Sequence, residues 1–191
     1  MSTQPQRAAG MTLLEVLIVV AILSIVAAVS LPSLSSTDPY KLEFAAEEVS
    51  SALRFARSEA LRTGQAHGVT VDRHTGDPPS DELTVYHVDL GQSPFGIESI
   101  LHHPVRKQVY TVRIGTGPIT AGISITGPGP LFHFSGLTDP QQHVHFDATG
   151  APVYFKDAVA HRFTGGDIRL SDGKDQRWVR IQPITGRVMV R

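Results

Sequence analysis

The hydrophobic pattern of the N-terminal third changes twice, from polar to apolar and then to amphipathic. Residues 1–10 are polar or small, and an apolar run then extends from Met11 to Leu31. At a rise of about 1.5 Å per residue, a helix of this length can cross a hydrocarbon core of about 30 Å. Because Leu, Ile, Val and Ala occupy every face, the run predicts a helix surrounded by apolar material, which a membrane or a protein core can supply.

The segment 32–64 has the pattern of an amphipathic helix. Pro32 interrupts the first helix, Asp38 and Pro39 predict a helix start as N-cap and first helical residue, and Gly64 predicts the helix end. The predicted apolar stripe consists of Leu42, Ala45, Ala46, Val49, Ala52, Leu53, Ala56 and Ala60. This spacing predicts a helix from about Tyr40 to Thr63 that buries one face.

After Gly64 the apolar runs become short and are separated by turns rich in Gly and Pro, which is typical of β-strands. The predicted strands are 69–71, 83–89, 105–114, 119–125, 131–134, 144–146, 168–170, 178–181 and 187–190. The segment His74 to Asp81 is predicted to be a variable loop. The expected fold class is α+β, with a long N-terminal helix packed on an antiparallel β-sheet domain over residues 65–191.

Composition limits the class of protein. The 191 residues suit one membrane segment and one domain with a sizeable core. The net charge of −1 argues against a protein that mainly coats nucleic acid. The chain has no cysteine, which excludes disulfides, thiolate metal sites and a cysteine nucleophile but leaves the compartment open.

Glu15 is the one charged residue of the apolar run. A carboxylate near a helix centre in lipid costs roughly 2.5–3.5 kcal/mol, so such a residue usually has a partner. A cleaved secretory signal is an alternative, with Arg7 in its cationic region and Ala28-Val29-Ser30 as its cleavage site, but Glu15 at the start of the run counts against it. A position of Glu15 at the lipid headgroups is a further alternative.

Gly10, followed by Met11-Thr12-Leu13-Leu14-Glu15 and the apolar run, resembles the leader of type IV pilins and type II secretion pseudopilins. Met11 departs from the Phe that this family most often has there. The resemblance implies that a prepilin peptidase cleaves between Gly10 and Met11 and N-methylates Met11. In an assembled filament, Glu15 would neutralise that α-amine on a neighbouring subunit.

The same resemblance implies how the chain is divided and where it is located. Residues 1–10 would be a prepilin leader, and residues 11–31 would be kept as a transmembrane and assembly helix. The protein would cross the bacterial inner membrane once, with its C-terminal domain in the periplasm. Its implied partners are the prepilin peptidase, other major and minor pseudopilins, membrane lipid and the inner-membrane assembly platform.

Further segments resemble the H-type minor pseudopilins and the related FimT-type minor pilins. They are Arg57-Ser58-Glu59-Ala60, the strand and Asp-x-x-Gly turn from Val144 to Gly150, and the closing hairpin of 177–181 and 186–188. Residues 73–130 match no such pattern. The resemblance implies a pilin-like fold and a minor pseudopilin of a type II secretion system. The alternative is a FimT-like minor type IV pilin that acts in pilus assembly or DNA uptake.

No residue pattern predicts catalysis or a cofactor. His143 and His145 would share one face of a strand and could chelate a metal, but two ligands make a weak site. Asp147 is expected to cap backbone N–H groups in its turn. The sequence contains neither a P-loop nor a dinucleotide-binding glycine motif. We therefore expect no enzyme, no metal and no cofactor, and a conventional exported β-domain enzyme remains the third alternative.

The C-terminal cations are the other candidate site. They are Arg162, Arg169, Lys174, Arg177, Arg180, Arg187 and Arg191. Arg177, Arg180 and Arg187 could contact DNA phosphates, with Trp178 available to stack on a base. Interleaved carboxylates favour a solvated surface of mixed charge instead, so nucleic acid is not the expected partner; they are Asp167, Asp172 and Asp175.

Overall fold

The computed structural model describes residues 13–30, 39–74, 80–92, 95–117, 119–127, 131–157 and 159–191. The chain divides into two compact units, Met1–Ser36 and Thr37–Arg191. The elements are α1 (Leu13–Ser30), α2 (Pro39–Thr63), β1 (His67–His74), β2 (Ser80–Asp89), β3 (Gly96–Ile100), β4 (Thr111–Ile114), β5 (Ser124–Thr126), β6 (His133–Phe134), β7 (His143–Phe146), β8 (Pro152–Lys156), β9 (Val159–Gly165), β10 (Asp167–Ser171), β11 (Gln176–Ile181) and β12 (Val188–Val190).

Helix α1 forms the described part of the first unit. Its side chains from residue 13 to 24 are exposed, and Leu13 and Leu14 are among the large apolar ones. The hydroxyl of Ser24 donates to the carbonyl oxygen of Val20 at 2.7 Å, so this polar group is satisfied within the helix. Among the described residues, no helix meets both the length and the apolarity that a membrane crossing requires.

Helix α2 confirms the predicted amphipathic pattern. All eight residues of the predicted apolar stripe, from Leu42 to Ala60, are at most 2% exposed. Five of them are alanines, whose small side chains let the helix backbone approach the sheets closely. The helix ends where Gly64 adopts a φ of 70° and donates its N–H to the carbonyl oxygen of Ala60. Pro32 and the predicted N-cap Asp38 lie outside the described residues.

The second unit contains two antiparallel sheets. The larger has eight strands, seven of them in the order β3-β2-β1-β7-β8-β9-β6, while β4 also pairs with β2. The smaller has four strands in the order β12-β11-β10-β5. Helix α2 contacts strands of both sheets, and the main hydrophobic core contains residues of the helix and of both sheets. The α+β class and the antiparallel domain are therefore confirmed.

A pair of side chains on neighbouring strands of the larger sheet binds the smaller sheet. Arg73 of β1 and Asp81 of β2 face each other in the strand register. A carboxylate oxygen of buried Asp81 accepts the N–H of Ile125 at 2.6 Å, and Arg73 donates to the carbonyl oxygen of Ile125 at 2.7 Å. Strand β5, which contains Ile125, is an edge strand of the smaller sheet. The two side chains therefore bind backbone groups that have no neighbouring strand to pair with.

The strand predictions were wrong in several places. Strands β3, β8 and β9 were not predicted. Only Thr111–Ile114 of the predicted strand 105–114 is a strand, because the chain turns before it, with Lys107 at a φ of 58°. The loop predicted from His74 to Asp81 is shorter, because His74 pairs with Ser80 and Arg73 with Asp81; residues 75–79 lie outside the described ranges.

Candidate functional site

The predicted processing and assembly residues are only partly described. Gly10 and Met11 lie outside the described residues. Glu15 lies in the first turn of α1, where a carboxylate interacts favourably with the positive end of the helix dipole. The apolar side chains of Leu14 and Val16 beside it are exposed. The roles of Gly10, Met11 and Glu15 stay predictions.

The Arg57 side chain connects α2 with the Asp147–Gly150 turn. Its Nε donates to the carbonyl oxygen of Gly150 at 3.2 Å. Asp147 accepts the backbone N–H groups of Thr149 at 2.8 Å and Ala151 at 3.1 Å, as expected for a capping aspartate. A fixed turn thus presents one carbonyl oxygen to a guanidinium from the helix.

Two glycines make room for this contact. A Cβ on Gly186 would clash with the carbonyl oxygen of Gly150 and would lie 3.1 Å from Nε of Arg57. A Cβ on Gly150 would lie 3.1 Å from Cγ of Leu61. Both glycines also have a positive φ, 73° at Gly150 and 64° at Gly186, which favours glycine over other residues.

The three segments that carry the sequence resemblance therefore meet at one place. Arg57 comes from the end of α2, Gly150 from the turn after β7, and Gly186 from the turn between β11 and β12. Their contact fixes the C-terminal end of the helix against turns that follow strands of both sheets. We call Arg57, Gly150 and Gly186 the helix-end junction.

The candidate DNA-binding residues do not share one face. Arg177 extends toward α2, where its Nε donates to a carboxylate oxygen of Glu43 at 2.9 Å. The next residue, Trp178, is 40% exposed. The guanidinium of Arg169 lies over the indole ring of Trp178, with Cζ 5.5 Å from the ring centroid. Alternation along β11 separates the side chains of Arg177 and Trp178.

Arg180 lies on the Trp178 side of β11, but a carboxylate already binds it. Its Nε and Nη2 donate to the two carboxylate oxygens of Asp167 at 2.9 and 2.7 Å. The pairing with Asp167 raises the pKa of Arg180. Arg187 is exposed. The surface around Trp178 thus carries both cations and a carboxylate, in agreement with the mixed-charge interpretation.

His143 and His145 do share one face, but they bind a tyrosine. The hydroxyl of Tyr86 lies 3.0 Å from Nδ1 of His143 and 2.9 Å from Nε2 of His145. Between these strands runs β1, where a Cβ on Gly68 would lie 2.6 Å from the His145 ring and 2.7 Å from the Tyr86 ring. Gly68 therefore lets the tyrosine reach across a strand.

The hydrogen bonds of this network fix the proton of His145. The N–H of Phe155 donates to Nδ1 of His145, so the proton of a neutral His145 is on Nε2 and is donated to Tyr86. The Tyr86 hydroxyl also shares a hydrogen bond with Nδ1 of His143, in which the tautomer of His143 decides which atom donates. Burial lowers the pKa of His145 to about 3, with a further contribution from His143. Among the described residues, no group of His, Asp and Glu has the geometry of a metal site.

Comparison with known families decides where the chain belongs. The model of the type II transport protein GspH matches residues 45–185, a range that includes Arg57, Gly150 and both sheets up to β11. The model of the prokaryotic N-terminal methylation motif matches residues 5–31. The chain belongs to the GspH family. No curated protein and no solved structure matches it significantly.

GspH membership and the methylation motif make the chain a minor subunit of a type II secretion or type IV pilin-like assembly. They imply processing by a prepilin peptidase and assembly with other pseudopilins. The family also implies an N-terminal membrane anchor and a periplasmic domain. The resemblance inferred from the sequence is thus confirmed at the level of the family.

Sequence reasoning missed how the GspH-like segments are related in space. It identified the segments around Arg57, Gly150 and Gly186 separately but did not place them in contact. It also missed the Tyr86 hydrogen bonds and the joint of Arg73 and Asp81. The signal for the tyrosine network was the His-x-His spacing together with a glycine on the neighbouring strand. This signal could not be used, because the sequence does not show the strand register that pairs Gly68 with His145.

Proposed function

We propose that this GspH-family chain is a minor pseudopilin of a type II secretion system. In this role it is a structural subunit of the periplasmic pseudopilus that supports protein export across the outer membrane. It is anchored in the inner membrane by residues 11–31 before assembly, and the inner-membrane assembly platform incorporates it. It performs no catalysis and needs no cofactor.

One observation carries this proposal: a methylation motif and a GspH domain follow each other in the same chain, at residues 5–31 and 45–185. The motif supplies an apolar helix for anchoring and assembly. The domain supplies a rigid body, because the buried stripe of α2 packs against both sheets. A rigid domain suits a filament subunit, in which each domain must take up a fixed position.

Deletion of the chain in its native cell tests the choice of machine. We expect loss of exoprotein secretion, with twitching motility and transformation retained. The reverse result would support the FimT-like alternative. A plasmid copy must restore the lost activity in either case.

Processing is a separate part of the proposal. Cleavage between Gly10 and Met11 should leave an N-methylated Met11 as the first residue, which mass spectrometry of the mature protein detects. A mature chain that starts near Leu31 would support a cleaved secretory signal. Glu15→Gln should be inserted and processed normally but incorporated poorly into pseudopili, because it cannot neutralise the α-amine of a neighbour. Normal incorporation of that variant would contradict the assembly role.

The FimT-like alternative rests on the surface around Trp178. The indole is half-buried under Arg169 and leaves part of its ring open to solvent, as a base-stacking residue requires. Arg180 and Arg187 would supply phosphate contacts, with Arg177 as a further candidate. DNA binding that falls steeply with salt and is lost in Arg180→Gln with Arg187→Gln would favour this alternative.

A further inference from the structure

A groove of about 680 Å³ lies beside the first half of α2. Phe44 and Glu48 of the helix form one side, and residues from Arg106 to β4 and the following turn form the other. Its volume falls within the range of about 300–1,000 Å³ that is typical of binding clefts. The groove is separate from the helix-end junction and from the surface around Trp178, since it shares no lining residue with either.

The groove exposes apolar side chains from three different segments. Phe44 of α2 is 39% exposed, Val109 is 53% exposed and Ile119 is 47% exposed. All three line the same concave surface. Apolar groups that converge in a concavity bury more area against a partner than the same groups would on a flat surface.

The charges of the groove and its edge favour an acidic partner. Arg106 donates to Glu48 at 3.4 Å, and Arg113 donates to Glu82 at 3.0 Å. In each pair the cation is the more exposed member, with 59% against 24% for Arg106 and Glu48 and 71% against 35% for Arg113 and Glu82. Each guanidinium uses one nitrogen in its pair, so further N–H donors remain to bind a carboxylate.

We propose that this groove binds a segment of another pseudopilin subunit that carries apolar side chains flanked by Asp or Glu. The apolar side chains would cover Phe44, Val109 and Ile119, and the carboxylates would bind Arg106 and Arg113. This inference rests on the proposed function, because assembly with other pseudopilins supplies the partner. It adds the surface of the domain and the chemistry of the segment that it recognises.

Cross-linking in cells tests the location of the contact. The full-length protein carries photoreactive p-benzoylphenylalanine in place of Ile119, or in place of Ile184 as a control that is exposed and outside the groove. We expect a cross-link from position 119 to another pseudopilin, on a peptide that contains Asp or Glu, and at least tenfold less from position 184. A cross-link to lipid or to a second copy of this chain, or equal yields at both positions, would overturn the proposal.

Charge removal tests the chemistry of the contact. Arg106→Gln with Arg113→Gln should reduce the yield from position 119 at least tenfold. The matched control is Arg54→Gln, which removes an exposed cation of α2 that pairs with Glu47 at 2.6 Å outside the groove, and should leave the yield unchanged. An unchanged yield in the double variant would overturn the proposal.

Two measurements keep these results interpretable. The urea midpoint of each variant should equal that of the unchanged chain, and Arg113→Glu should be rescued by exchanging the cross-linked partner carboxylate for Lys. Failed rescue with an unchanged midpoint counts against the contact. Processing at Gly10 and the secretion defect of the deletion are scored separately, so a failure of the proposed function is distinguished from a failure of the groove.

Discussion

The two sheets of the second unit differ in whether their polar side chains are buried or exposed. Near its centre, the eight-stranded sheet is buried on both faces, and it holds His145, Tyr86 and Asp81 at 5% exposure or less. The four-stranded sheet is buried on one face only: Val179 and Ile181 point inward, while Trp178 and Arg180 reach the surface. Each buried polar group named here has a specific hydrogen-bond partner, whereas the surface charges pair in solvent.

This difference predicts where the protein tolerates substitution. A buried polar group that loses its partner carries the full cost of desolvation, whereas an exposed ion pair is replaced by water. The larger sheet should therefore respond sharply to single substitutions and to pH. The outer surface of the smaller sheet should be free to change, which suits a surface that adapts to different neighbours.

The largest effect is expected at the joint between the sheets. Asp81→Ala removes the acceptor of the Ile125 N–H and leaves Arg73 without the carboxylate that faces it in the register. We expect a loss of about 3 kcal/mol in the free energy of unfolding, because a buried donor is left unsatisfied next to a cation. Urea unfolding of the full chain in detergent, followed by the fluorescence of its single tryptophan, measures this loss.

Asp81→Asn is the matched control for this joint. It keeps an oxygen that can accept the Ile125 N–H but removes the negative charge. We expect about half the loss of Asp81→Ala if the hydrogen bond and the charge both contribute. Equal losses in the two variants would show that the hydrogen bond to β5 contributes little.

The next effect concerns the turn that the smaller sheet contributes to the helix-end junction. Gly186 and Gly173 both have a positive φ, 64° and 89°, but a Cβ clashes with Gly150 only at Gly186. Gly173→Ala should cost about 1 kcal/mol for the left-handed backbone alone. Gly186→Ala should cost about 1 kcal/mol more, since it also overpacks a close contact. Similar losses in both variants would contradict the close approach of the two turns.

The same contrast explains how much of the structure the sequence predicted. The buried stripe of α2 was predicted residue by residue, because helical periodicity is a local signal that eight apolar positions repeat. The order of strands was not predicted, because pairing Gly68 with both Tyr86 and His145 depends on contacts between distant parts of the chain. Strand β3 was missed for a different reason: four of its five residues are exposed, so no buried alternation marks it.

The candidate site was predicted in the same uneven way. Family-like motifs are short and local, so Arg57, the turn at Gly150 and the hairpin at Gly186 could be recognised separately. Their contact needs the tertiary fold. Strand alternation places Arg177 and Arg180 on opposite faces of β11. Their carboxylate partners could not be predicted, because Glu43 and Asp167 lie on other elements.

A pH effect of intermediate size should arise from the larger sheet. Burial holds the pKa of His145 at about 3, below its usual value of 6.5, so the unfolded chain binds more protons than the folded one between these values. Stability should therefore be complete above pH 6.5 and fall with decreasing pH, by about 2 kcal/mol at pH 5 from this group. Urea unfolding at several pH values between 5 and 7.5 measures the slope.

His145→Gln should flatten that slope while it lowers the stability at pH 7.5. Gln can accept the N–H of Phe155 but does not titrate. The matched control is His133→Gln on the exposed side of β6, which should leave the slope unchanged. An equal slope in the chain with Gln at position 145 would assign the acid sensitivity to other groups. His143 is the first of these, because burial also lowers its pKa.

The smallest effect is expected on the outer surface of the four-stranded sheet. Arg180→Gln combined with Asp167→Asn removes a bidentate ion pair whose members are 41% and 26% exposed. We expect no measurable change in the urea midpoint, because water solvates both groups once the pair is gone and exposed pairs contribute little. A large loss would mean that this pair fixes the register of β10 and β11, which Val179 and Ile168 otherwise hold by burial on the opposite face. Retained stability leaves Arg180 replaceable, so that any loss of assembly or DNA binding in the variant reports a contact with a partner and not a failure to fold.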